Sequence, residues 1–209
     1  MFTFTASDGT LLYMGKDKFE NEELIKHGWP EDIWFHVDGL SSAHVYARVL
    51  APGGAAATVS GVPPPQQQAE AEEEGGGGAH HRAPQPAPPP PPVTLDSVSP
   101  AALAECAQLV KANSIEGCKK GSVTIVYTLW ANLRKDGSMA PGQVAFHSDR
   151  AVRRVTVGER DKEVLARLAK TREETQPDLA KVRARARWAR ARGAAARRAA
   201  PPLTLVPSF

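Results

Sequence analysis

Hydrophobic and polar residues alternate along residues 32–50, and this period of two predicts a pair of β-strands joined by a turn at Gly39. In each strand, one row of side chains is aliphatic or aromatic and suits a hydrophobic core. The opposite row combines aromatic rings, imidazoles and one guanidinium, contributed by Trp34, His36, His44, Tyr46 and Arg48. The sequence thus predicts an amphipathic β-hairpin with a chemically unusual polar face.

Two interpretations of that polar face remain open. Rings and imidazoles stack on unpaired bases and a guanidinium pairs with phosphate, which is the chemistry needed to bind single-stranded nucleic acid. Alternatively, the face is merely hydrated, or a helix covers it.

The N-terminal residues predict a second hairpin followed by a helix. Residues 2–5 and 10–14 have strand character and flank a Ser-Asp-Gly turn. Asp17, with Glu20 three residues later, has the pattern of a capping box, so a helix is expected from about Lys18 to Gly28.

Gly15 and Lys16 precede this helix and suggest a phosphate site. Free amides and the positive end of the helix dipole favour anions there, and the Lys16 ammonium adds charge. Strand–glycine–helix junctions are common, however, so this signal alone is weak. Asp17 and Asn21 lie in the same region and complete the candidate nucleic-acid site.

Residues 51–93 have a composition that predicts a disordered insertion. The segment is rich in Ala, Gly, Gln, Glu and Pro and cannot bury enough apolar area to offset its ordering entropy. Its proline run, Pro88–Pro92, is a candidate ligand for an SH3- or WW-type partner, although such runs are usually linkers.

Regular patterns return after the insertion. Ser99 and Pro100 begin a predicted helix that ends near Asn113. Residues 123–128 predict a strand, 130–135 a helical turn, and 143–147 with 152–157 a further strand pair. We therefore expect an α+β fold over residues 1–50 and 94–160, with a small mixed or antiparallel sheet of about six strands and two packed helices.

The C-terminal part predicts a basic helical tail over residues 161–200, followed by a disordered end at 201–209. Eight of the 26 basic residues lie from Lys181 onward, where there is no acidic residue, so residues 1–180 hold 18 basic against 23 acidic residues. Arg183, Arg187 and Arg190 share one face of this tail. They either face solvent or contact phosphate or anionic lipid.

Other global features indicate a soluble intracellular protein, expected in the cytoplasm. Cys106 and Cys118 lack metal-ligand spacing, the N-terminus lacks a signal-peptide pattern, and no stretch reaches the ~20 apolar residues of a membrane span. We expect no transmembrane segment.

Several motifs in a fixed order resemble the NFACT-R domain, the RNA-binding module of ribosome quality-control proteins. The resemblance covers residues 1–50 and about 94–180 and is closest to the stand-alone eukaryotic form. The motifs are Gly15-Lys16-Asp17, Asn21-Glu22, residues 29–36, residues 42–45, residues 106–118, Val126-Tyr127-Thr128, Gly142-Gln143 and Phe146-His147.

This resemblance implies a nucleic-acid-binding protein linked to translation, with RNA as ligand and ribosomal or translation factors as partners, and without a known reaction. Some members have been described as membrane-associated receptors for extracellular DNA, so DNA binding, a nuclear location and membrane association are the alternatives. The sequence departs from the family at residues 51–93, where members have a short loop. Its C-terminus also lacks the heptads of the family's long coiled coil.

Two other function classes compete with nucleic-acid binding. His36, His44 and Asp38 have the side chains to bind a metal or transfer protons. However, the sequence lacks a Walker loop, a nucleophile elbow, a CxxC pair and an HExxH helix. We therefore expect no catalytic residues, no cofactor and no metal site. A protein-interaction adaptor, acting through the proline run and the C-terminal helix, is the third hypothesis.

Overall fold

The computed structural model describes residues 1–49, 92–176 and 178–181. Most of the predicted insertion at 51–93, including Pro88–Pro91, lies outside these residues. The same holds for residues 182–200 of the predicted basic tail, which include Arg183, Arg187 and Arg190, and for the C-terminal end at 201–209.

A seven-stranded antiparallel sheet forms the centre of the fold, in the spatial order β8-β5-β3-β4-β2-β1-β9. This confirms the expected α+β class, with one more strand than predicted. A separate two-stranded ribbon is formed by β6 and β7. The strands are β1 (Phe2–Thr5), β2 (Leu11–Met14), β3 (Ile33–Val37), β4 (Val45–Arg48), β5 (Val123–Leu129), β6 (Leu133–Arg134), β7 (Ala145–Phe146), β8 (Arg153–Val157) and β9 (Glu173–Glu174).

Within the described residues, α1 (Lys18–His27), α2 (Pro100–Ala112) and α3 (Lys162–Lys170) pack on the sheet, and each begins where a side chain caps its free amides. Asp17 accepts hydrogen bonds from the amides of Phe19 and Glu20 at the start of α1, and Ser99 accepts one from Ala102 at the start of α2. Both predicted caps are therefore confirmed.

The predicted pairing of residues 143–147 with 152–157 is wrong. β7 pairs with β6, whereas β8 pairs with β5 over Val123–Tyr127. A 3₁₀ turn (Trp130–Asn132) separates β5 from β6, and Asn132 extends the β6–β7 pairing because its backbone carbonyl and side-chain oxygen accept the amides of His147 and Ser148. Strand propensity identified both segments, but it does not choose their partners.

Hydrophobic clusters cover both faces of the sheet. On one face, α2 and α3 pack through Cys106, Val110 and Leu168 against Leu12, Phe35 and other apolar side chains of the strands. On the other face, Leu24 of α1 and partly buried residues of the β6–β7 ribbon pack against Tyr13, Trp34 and Tyr46. The described chain therefore has three layers, with the sheet in the middle.

The α+β unit extends past residue 160, which was the boundary predicted for its second half. Leu168 of α3 is buried in the main core, and Arg167 forms an ion pair with the buried carboxylate of Glu105 on α2. β9 then adds to the sheet edge beside β1. Among the described residues, no helix has both the length and the apolar character that crossing a bilayer requires.

If α3 is part of the core, Leu168→Ala should lower the free energy of unfolding by about 2–5 kcal/mol, because it removes a buried leucine side chain and leaves a cavity. Urea denaturation measures the loss. Lys170→Ala, at an exposed position on the same helix, is the matched control and should change stability by less than about 0.5 kcal/mol. Equal effects of the two substitutions would place α3 outside the core.

Candidate nucleic-acid interface

The polar face of β3 and β4 is covered, as in the second interpretation given above, and does not lie open to solvent as nucleic-acid binding on that face would require. Trp34 is only 2% exposed, and His44, Tyr46 and Arg48 are also buried. Leu24 of α1 and the ribbon residue Phe146 contribute to the cluster on this face, and the Trp34 and Phe146 rings meet edge to face with centroids 5.8 Å apart. In this conformation, Trp34, Tyr46 and Arg48 do not present surfaces on which a base can stack.

Arg48 has a buried structural partner in Asp32. Its Nε and Nη2 donate to the two carboxylate oxygens at 3.0 and 2.7 Å, and the Tyr13 hydroxyl donates to the same carboxylate. The guanidinium also lies over the Trp29 ring, 3.8 Å from its centroid. Burial alone would lower the pKa of Arg48, but the hydrogen bonds to Asp32 outweigh it and raise the pKa, so the guanidinium stays charged. Arg48 is therefore committed to an internal ion pair.

His44 is neutral in the folded protein and accepts a hydrogen bond from Trp34. The indole Nε1–H donates to Nδ1 of His44 at 2.9 Å, which requires that nitrogen to be unprotonated. Burial, together with the neighbouring His36 ring, lowers the pKa of His44 to about 3. The imidazole thus acts as a hydrogen-bond acceptor beneath α1 and the ribbon, and its Nδ1 is not free for a metal or a proton transfer.

His36 is the partly accessible ring of the group. It stacks on Trp34 with centroids 5.5 Å apart and an interplanar angle of 4°, and its Nδ1 lies 2.8 Å from the Val37 carbonyl oxygen. Burial lowers the pKa of His36. His36 therefore presents a neutral ring, backed by an indole, at the border between the core and the surface.

A groove of about 580 Å³ opens where this border meets the beginning of α1. It brings together five of the predicted site residues: Lys16, Asp17, Asn21, His36 and His44. Trp34, Tyr46 and Arg48 do not line it. The remaining wall is rich in uncharged hydrogen-bonding groups, supplied by Ser41, Ser42, Asn113 and Gln143.

A contact between α1 and the ribbon fixes one wall of the groove. Glu22 accepts hydrogen bonds from the Lys135 ammonium at 2.7 Å and from the Gly142 amide at 2.5 Å. Lys135 also donates to the carbonyl oxygens of Ala140 and Gln143. These bonds hold the loop that carries Gly142 and Gln143 against the start of the helix.

The predicted phosphate site at Gly15 and Lys16 is already filled by carboxylates. Asp17 occupies the free amides of the first turn, and Glu20 accepts the backbone amide of Lys16 at 2.9 Å. The Lys16 ammonium contacts Glu174 at 2.7 Å and Glu20 at 3.5 Å, and the hydrogen bond to Glu174 raises the pKa of Lys16. An anion that reaches this helix end therefore meets internal competitors.

Gly15 and Asn21 are packed together beside this site. A Cβ atom at position 15 would overlap the Asn21 side chain, so the close approach requires glycine. The Asn21 side chain is buried, and its Oδ1 has no hydrogen-bond partner among the described residues. Because that oxygen is enclosed by protein atoms, Asn21 packs behind the wall of the groove and does not offer its Oδ1 to a ligand in this conformation.

Two exposed apolar residues near the groove were missed by the sequence analysis. Phe19 is 66% exposed and Ile115 is 76% exposed, and Ile115 lines the groove. Lys18, which also lines the groove, places its ammonium 5.2 Å from the centroid of the Phe19 ring. The helical period of α1 could have indicated that Phe19 is exposed. At 100° per residue, Phe19 lies roughly opposite the buried Asn21 and Leu24.

Comparisons with known proteins find one matching family model and several proteins of similar sequence. The family model described as the NFACT protein RNA binding domain matches residues 1–148. Coiled-coil domain-containing protein 25 of Danio rerio is 43% identical over 183 residues, which cover 86% of this chain and 69% of that protein. The Mus musculus protein of the same name is 43% identical over 184 residues, with the same shares covered.

Among solved structures, the C-terminal part of the fibronectin/fibrinogen-binding protein from Streptococcus suis is similar with a TM-score of 0.49 and 16% sequence identity. The match covers 82% of this chain, which spans about half (48%) of that structure.

Because Arg48 neutralises a buried carboxylate, Arg48→Ala should lower the free energy of unfolding by about 3–5 kcal/mol. Arg154→Ala is the matched control, since Arg154 forms an exposed pair with Asp38 at 3.2 Å and its loss should cost about 0–1 kcal/mol. Urea denaturation compares the two variants. Similar costs would contradict a structural role for the Asp32–Arg48 pair.

The neutral state of His44 makes stability depend on pH. Its folded pKa lies below the unfolded value of 6.5, so only the unfolded chain takes up the proton as the pH falls through 6.5 toward 3. His44→Asn, whose amide oxygen replaces the Nδ1 acceptor, should therefore lose about 1–2 kcal/mol less stability than the wild type between pH 6.5 and 5. Denaturation at each pH measures this, with His147→Asn at an exposed histidine as control. Parallel curves for wild type and His44→Asn would refute the assignment.

Proposed function

Because the chain belongs to the NFACT protein RNA binding domain family, we propose that it is a non-catalytic protein that binds single-stranded RNA at the groove beside α1. Phe19 and His36 contact bases in this proposal, and Lys16 and Lys18 contact phosphates. The binding surface is therefore the rim of the three-layer fold, where α1, the ribbon loop and the end of β3 meet.

The observation that carries this proposal is the exposed Phe19 ring beside the Lys18 ammonium. Burial of apolar surface stabilises a fold, so a solvent-exposed phenylalanine next to Lys18 contributes little to the protein's own stability. An aromatic platform next to ammonium groups is what sequence-tolerant binding of single strands uses, because every base has a face that can stack.

The uncharged side of the groove supports RNA as the ligand. Asn113, Ser42 and Gln143 carry donors and acceptors without a net charge, as do the edges of bases and the ribose 2′-hydroxyl. The neutral His36 ring, already stacked on Trp34, offers a further surface for a base. Groups of this kind add hydrogen-bonding selectivity to the contacts that the lysines make with phosphates.

The distribution of charge along the chain indicates which interactions contribute to the proposed affinity for RNA. Residues 1–180 hold more acidic than basic residues, so stacking and hydrogen bonding supply a large share of the affinity of this part of the chain. We propose that Arg183, Arg187 and Arg190 add phosphate contacts in the full chain. Association with ribosomes or translation factors in the cytoplasm belongs to the same proposal, and preferential binding of DNA is its principal alternative.

Replacing the exposed ring tests the proposal directly. Phe19→Ala should weaken binding of a single-stranded RNA oligonucleotide by about 1–3 kcal/mol, or roughly 5- to 150-fold, because it removes a stacking surface. Fluorescence anisotropy of the labelled RNA measures the affinity, with a DNA oligonucleotide of the same sequence in parallel.

Two further variants show whether the aromatic ring of Phe19 or only its apolar bulk is needed. Phe19→Tyr keeps an aromatic ring and should retain affinity, whereas Phe19→Leu keeps apolar bulk without the ring and should resemble Phe19→Ala. Since Phe19 is exposed, all three proteins should melt near the wild-type temperature. Unchanged RNA affinity in Phe19→Ala would remove Phe19 from the site, and tighter binding of the DNA would favour the alternative ligand.

A further inference from the structure

Lys16 contacts two carboxylates, those of Glu20 and Glu174, and Glu20 has more additional bonds than Glu174 has. Glu20 accepts the Lys16 backbone amide at 2.9 Å and also pairs with the Met1 amino group at 3.0 Å. Glu174 is 52% exposed, and the contact that the structure records for its carboxylate is the 2.7 Å hydrogen bond to Lys16. Of the two carboxylates, Glu174 is therefore the one that can leave Lys16 without breaking other bonds of its own.

Glu174 lies on the smallest strand of the central sheet. β9 contains two residues, and its ladder with β1 pairs Phe2 with Glu174 and Thr3 with Glu173. An exposed ion pair at such an edge contributes little to stability, because water screens it and two long side chains must be ordered to form it. Exchange of the Glu174 carboxylate for another anion at Lys16 should therefore change the stability of the fold little.

Resting on the proposed function, we propose that Glu174 occupies the place of an RNA phosphate in the free protein and that RNA binds by displacing it from Lys16. A phosphodiester and a carboxylate both offer oxygens to the same ammonium. Both anions cannot approach Lys16 closely without repelling each other. Glu174 therefore lowers the affinity of the groove and makes it responsive to the position of the segment after α3.

A double-mutant cycle on the full chain tests this exchange. Glu174→Gln removes the competing charge while retaining the shape of the side chain, and we expect a gain in affinity for the RNA oligonucleotide of about 2- to 10-fold. Lys16→Gln should weaken binding. In the Lys16→Gln background, Glu174→Gln should give little or no gain, because the ammonium for which both anions compete is absent.

Glu173→Gln is the matched control. It removes the same charge from the neighbouring residue of β9, and among the described residues no ion pair is recorded for Glu173. We expect a smaller gain for Glu173→Gln than for Glu174→Gln. An equal gain would show that only the general charge of the surface matters and would overturn the proposal.

The remaining outcomes separate this inference from the proposed function. If Glu174→Gln still increases RNA affinity in the Lys16→Gln background, the exchange is overturned. It is also overturned if Glu174→Gln leaves the RNA affinity of the wild-type protein unchanged. In both cases the proposed function stands. If neither the wild type nor any variant binds RNA, the proposed function itself fails and the exchange fails with it.

Discussion

Burial of both faces of the central sheet is the constraint on which the rest of the structure depends. Residues alternate across each strand, so an antiparallel sheet with one wet face would place Trp34, Tyr46 and Arg48 in water. Here α1 and the β6–β7 ribbon cover that face and form a second core. Polar groups on it need partners inside the protein, and the Asp32–Arg48 ion pair and the Trp34–His44 hydrogen bond supply them for four side chains, whereas the buried Tyr46 hydroxyl has no hydrogen-bond partner among the described residues.

This constraint moves the accessible chemistry from the sheet face to its rim. The groove lies where α1 begins and where the ribbon loop, fixed by Glu22, approaches His36. The buried layer supports this rim from beneath, because Trp34 stacks on His36 on its inner side and fixes the orientation of that ring. Residues that cannot touch a ligand therefore position one that can.

Charges at the rim are largely paired within the protein itself. Asp17 caps the helix, Glu20 and Glu174 contact Lys16, and Glu22 contacts Lys135. Such a surface does not attract polyanions by net charge, and it discriminates against anions that cannot displace these carboxylates. The exposed Phe19 ring and the uncharged amides and hydroxyls of the groove consequently matter more for the proposed binding than the number of lysines.

The sequence by itself determined the local structure, namely the α+β class, the helix caps at Asp17 and Ser99, and the hairpin of β3 and β4, because capping and alternation are read from neighbouring residues. Its motifs also indicated the family. Only the tertiary structure decided that Trp34 and Arg48 are buried, that β7 pairs with β6, and that α3 and β9 belong to the domain. Alternation specifies which side of a strand a residue occupies, but what covers that side depends on how α1 folds back on the sheet and on the ribbon, which lies far along the sequence from Trp34 and Arg48. For the same reason Lys16 resembled a free phosphate ligand until the fold placed Glu174, 158 residues away, against it.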